Sequence, residues 1–145
     1  MTYIFEQAGI ALLYGLVGFG VMGLGFVALD LVTPGKLGAV VWTDRNKGAA
    51  VVLGGQMLGL GYVVAQAIGA SESEEGLGYG LLSTLVYGIA GVIIMLLVFG
   101  LVGIATPGKM GATVLEDPDG RPHPAAWVQA ATYLGTALMI GAALT

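Results

Sequence analysis

"DLVTPGKLGA" at residues 30–39 and "GIATPGKMGA" at residues 103–112 carry one Thr-Pro-Gly-Lys word twice, 73 residues apart. Each copy closes a long apolar run. Proline cannot continue a helix and restricts the residue before it, glycine supplies a turn, and lysine suits both a helix C-terminus and lipid headgroups. The word therefore reads first as a pair of helix stops. The glycine spacing of a phosphate-binding loop is absent, so docking of an anionic lipid or a partner through Thr33, Pro34, Lys36, Thr106, Pro107 and Lys109 is the secondary reading.

Working outward, charges divide the chain into four uncharged stretches, 7–29, 48–70, 76–108 and 124–145. Each reaches the roughly 20 residues that a helix needs to cross about 30 Å of hydrocarbon. The expected spans are about 8–32, 48–70, 81–105 and 124–144, with Gly76, Gly78 and Gly80 placed in the approach to the third. Hydrophobic residues make up 57% of the 145 and charged ones 10%, too few polar groups to cover a water-facing surface. The fold class is an all-α integral membrane protein. Basic patches of the kind that bind nucleic acid are missing, and without cysteine there is no disulfide framework or thiolate metal site. A cleaved signal peptide is not expected, because Glu6 replaces a basic n-region.

Orientation follows from the cations. Lys36, Arg45 and Lys47 lie between the first and second spans, and Lys109 and Arg121 between the third and fourth. Basic residues are retained on the cytoplasmic side during insertion. The loops at 33–47 and 106–123 are thus expected in the cytoplasm, with both termini and the acidic 71–78 loop outside.

Shifted by 73 residues, the stretch 10–41 matches 83–114 at 14 of 32 positions, including Tyr14 with Tyr87, Gly18 with Gly91, Met22 with Met95 and Phe26 with Phe99. Beyond the loop the offset becomes 76, pairing Ala49 with Ala125 and Gly59 with Gly135. The unit is a helical hairpin, giving repeats 1–72 and 73–145. An even number of spans per unit makes the copies parallel, and a pseudo-twofold axis along the membrane normal is expected.

The duplicated hairpin, the Thr-Pro closing its first helix and "RNKGAAVVLGGQMLGLG" at 45–61 resemble the bacterial membrane family called domain of unknown function 350. The resemblance spans nearly the whole chain. It implies a bacterial inner-membrane protein without an assigned activity, with Thr33, Pro34, Asn46, Ala49, Ala50 and Gly59 as motif positions. The second repeat has no asparagine matching Asn46.

Among side chains that could carry chemistry, Asp30 is the acidic residue embedded in an apolar run. An intramembrane carboxylate is a functional candidate, although its place one turn before Thr33 favours an interfacial role. With Tyr14 and Tyr87 it makes up a possible ion or solute site. Gln56, Gln66, Gln129, Thr132 and Thr84 add hydrogen-bonding groups within the spans, where such groups bond across helices. The 26 glycines suit close helix packing, within or between subunits. His123 reads as a loop residue, and neither a catalytic constellation, a metal site nor a cofactor site is expected. The composition and pattern point to a non-enzymatic scaffold or accessory subunit, homo-oligomeric or bound to other membrane proteins. The alternative is a small channel or transporter.

Overall fold

The computed structural model describes residues 2–32, 36–71, 76–105, 113–116 and 120–144. The Thr-Pro words at 33–34 and 106–107, with Lys109, lie outside them. The chain forms α1 (Thr2–Val32), a short α2 (Leu37–Trp42), α3 (Lys47–Ala70), α4 (Leu77–Ala105) and α5 (Pro124–Leu144). Apart from α2, each is long and apolar enough to cross a membrane.

Two expectations need correction. Residues 33–47 are not loop throughout, because "LGAVVW" closes the turns of α2 and packs on α1 and α3. The third helix starts at Leu77, taking in Gly78 and Gly80. Gly80 is inside the helix because its bare Cα faces the Ser71 carbonyl and the Tyr14 hydroxyl, leaving no room for a side chain. Its glycine serves contact rather than chain reversal.

α3 is the central helix, packed on α1, α4 and α5. A Cβ built on Gly55 would stand 2.6 Å from the Ala130 Cβ, and one on Gly59 would stand 2.7 Å from the Met95 methyl and 3.2 Å from the Tyr133 carbonyl. Those two positions bring α5 onto α3 at backbone distance and seat the Met95 side chain of α4 against it, contacts that lipid alone would not drive. α1 and α4 offer α3 equivalent faces: Gly18 lies against Val64, and Gly91 against Val63. The contacts between α1 and α4 follow a different register. Val21 meets Gly88, and Gly25 meets Val92, each pair 67 residues apart rather than the 73 of the repeat. Six residues correspond to about 9 Å of helix, so these two helices do not meet through repeat mates at one depth. With α3 already occupying the shared face of both, their mutual contact uses other residues.

The core holds Val21, Leu29, Leu60, Val63, Met95 and Tyr133, all buried. Leu12, Leu16, Phe19, Leu97 and Ile104 point outward on the surface a bilayer would cover. Trp42 and Trp127, 68% and 61% exposed, ring the end formed by α2 and the starts of α3 and α5. Tyr3, Phe5 and Tyr79 are exposed at the opposite end. Aromatic side chains of this kind settle at the two membrane–water boundaries.

Candidate functional site

The polar interior centres on three side chains. Gln56 of α3 and Gln129 and Tyr133 of α5 are buried at 2%, 1% and 0% exposure. Gln56 follows Gly55 and Gln129 precedes Ala130, the two residues at which α3 and α5 touch. On parallel helices, one residue forward on one and one back on the other turns both side chains about 100° to the same side of the contact. That is the side on which Gly59 faces Met95 of α4. Tyr133, one turn beyond Gln129, lays its ring parallel to Phe99 of α4 with centroids 6.3 Å apart. Gln56 Nε2 donates to the Gly25 carbonyl of α1 at 3.3 Å, so every spanning helix reaches the cluster. Gln56 Oε1, both polar atoms of Gln129 and the Tyr133 hydroxyl have no hydrogen bond within 3.5 Å, the Gln129 side chain being the nearest polar neighbour of the hydroxyl.

The sequence marks Gln56 and Gln129 as polar positions inside spans, but not Tyr133. Its i, i+4 spacing from Gln129 is the signal that ties it to the same helix face.

At the end carrying the tryptophans, the two loops are joined. Asn46 Oδ1 accepts from the Ala49 amide at 2.7 Å, capping α3, while Asn46 Nδ2 donates to the Leu115 carbonyl at 2.7 Å. Lys47 Nζ donates to the Gly120 carbonyl at 2.7 Å. In the second half, His123 does the capping: its Nδ1 accepts from the Ala125 amide at 3.1 Å. The absence of an asparagine there is thus matched by an imidazole nitrogen used as acceptor. Of the other motif positions, Ala49 is fully buried under the loop, Ala50 is exposed beside Trp127 and Gly59 sits in the helix contact.

Asp30 Oδ1 accepts from the Gly38 amide at 2.8 Å, fastening α2 to the end of α1. Tyr14 reaches Gly80 near the far end, about 24 Å along α1 from Asp30. Tyr87 is exposed and lines a groove of about 290 Å³ between α4 and α5 with Ile94 and Met139. These three residues do not converge on one site. Lys36, with φ 58°, and Arg45, with φ 54°, hold left-handed backbone conformations on either side of α2, and both side chains are exposed. Among the described residues no three His, Cys, Asp or Glu side chains are grouped to hold a metal ion.

Four apolar helices with aromatic residues at both boundaries define a multi-pass membrane protein. The chain belongs to the family described as Domain of Unknown Function (DUF350), which matches residues 3–144. It is similar to a "UPF0719 transmembrane protein" of Mycolicibacterium paratuberculosis (strain ATCC BAA-968 / K-10), 35% identical over 142 residues, 98% of this chain and 91% of the relative. Proteins of the same name from Mycobacterium bovis and Mycobacterium tuberculosis (strain CDC 1551 / Oshkosh) are each 34% identical over 145 residues, covering all of this chain and 92% of the relative. No solved structure matches.

Proposed function

We propose that the protein is a non-enzymatic scaffold or accessory subunit of an assembly in the bacterial inner membrane. The observation that carries this reading is the tie between the loops: Asn46 and Lys47 bond across to Leu115 and Gly120, with Lys36, Arg45 and Arg121 exposed around them. A cross-braced face at headgroup level, on which exposed Lys36, Arg45 and Arg121 stand beside exposed Asp44 and Glu116, is suited to holding a lipid headgroup or a partner's polar segment in fixed geometry. Cations at 36–47 and 121 favour placing this end in the cytoplasm, with the termini and the 71–78 loop outside. The chain is read as two tandem hairpins, 1–72 and 73–145, whose repeat mates Gly18 and Gly91 both meet α3, the first within its own hairpin at Val64 and the second across hairpins at Val63. The exposed small residues Gly54 and Ala131 leave a surface on which a second copy or another subunit could pack.

Extraction in native-lipid nanodiscs after in-cell cross-linking tests the reading. A partner recovered in fixed ratio, together with no solute flux in proteoliposomes, is the expected result. A channel or transporter is the second reading, favoured by the polar cluster at Gln56, Gln129 and Tyr133. A flux that Asp30→Asn or Gln129→Leu alters would put it in place of the scaffold.

A further inference from the structure

We propose that the bundle core binds ordered water at the cluster formed by Gln56, Gln129 and Tyr133. Gln56 Oε1, Gln129 Oε1, Gln129 Nε2 and the Tyr133 hydroxyl are buried with no hydrogen bond within 3.5 Å, and the Tyr133 hydroxyl faces the Gln129 side chain just beyond it. Leaving a buried polar atom unpaired is destabilising, because the water it gave up on burial is not replaced. Lipid around the helices offers nothing to relieve it.

The chemistry of the set selects its ligand. Gln129 Nε2 needs an acceptor, the two amide oxygens need donors, and the hydroxyl serves either way. A cation would satisfy the oxygens and be repelled by the amide N–H groups. An anion would do the reverse. Water carries two donors and two lone pairs, so it meets both demands, and buried waters typically make about three hydrogen bonds to such groups. Exchanging the oxygen and nitrogen of Gln129 leaves this unchanged, because neither end has a hydrogen bond within 3.5 Å. The orientation of Gln56 is set by its bond to the Gly25 carbonyl. Gln56 and Tyr133 each stand nine residues into their helices, about 14 Å from the end carrying Trp42 and Trp127.

The inference is independent of whether the protein is a scaffold. Solid-state NMR of the full chain in bilayers, labelled with ¹⁵N-glutamine and with magnetisation started on water, tests it. Transfer to the side-chain amide of Gln129, identified by its disappearance in Gln129→Leu, is expected in the wild type. Tyr133→Phe keeps the ring on Phe99 and removes one of about three water partners, so the Gln129 transfer should fall roughly twofold or more. No transfer in the wild type means a dry core and overturns the site. Transfer that Tyr133→Phe leaves unchanged overturns it as well, since the water would then lie elsewhere.

Discussion

Asn46 and Leu115, 69 residues apart in the chain, are joined by a 2.7 Å hydrogen bond from the asparagine amide to the leucine carbonyl. The same side chain caps α3 through its oxygen, so one residue both starts a helix and fastens the other loop to it. Two substitutions separate the roles. Asn46→Ala loses cap and tie, a loss of about 2 kcal/mol from the two bonds together. Asn46→Asp retains an acceptor for Ala49 but has no donor for Leu115, so it should lose about half as much. Unfolding in detergent, followed by circular dichroism, measures both.

Gly54 and Gly55 are adjacent, yet they should respond oppositely to alanine. A Cβ on Gly55 meets Ala130 backbone at 2.7 Å, whereas one on Gly54 meets nothing within 4 Å. Gly55→Ala forces α3 and α5 apart and should cost about 1–3 kcal/mol. Gly54→Ala should be neutral or stabilising by up to about 1 kcal/mol through helix propensity. Thermal unfolding of the two variants side by side checks the contrast.

His123 caps α5 with Nδ1, a role that asparagine fills at the start of α3. His123→Asn should preserve stability to within about 0.5 kcal/mol, and His123→Ala should lose about 1 kcal/mol. Equal losses in the two variants would show that the imidazole ring matters for packing rather than as an acceptor.

Membrane orientation is testable with single cysteines, because the chain has none of its own. Lys36→Cys should react with a membrane-impermeant maleimide only after the cytoplasmic face is opened, and Ser73→Cys in intact spheroplasts. The reverse pattern would place the cations outside, against the retention of basic loops in the cytoplasm.

The number of spans, their ends near Val32 and Ala105 and the division of charge were legible in the amino-acid sequence, because hydrocarbon thickness and the exclusion of lysine and arginine act on composition and length alone. Asn46 was marked through the family resemblance, and its work in capping α3 and tying the second loop comes from the structure. What each polar residue does was not legible. Asp30, the most conspicuous charge in an apolar run, fastens Gly38, while Tyr14 and Tyr87, equivalent in the repeat, face different surroundings. Gln56, Gln129 and Tyr133 come together only where Gly55 meets Ala130. Helix packing decides such meetings through long-range steric fit: small residues four apart, such as Gly55 and Gly59, mark a contact face but not the helix that covers it.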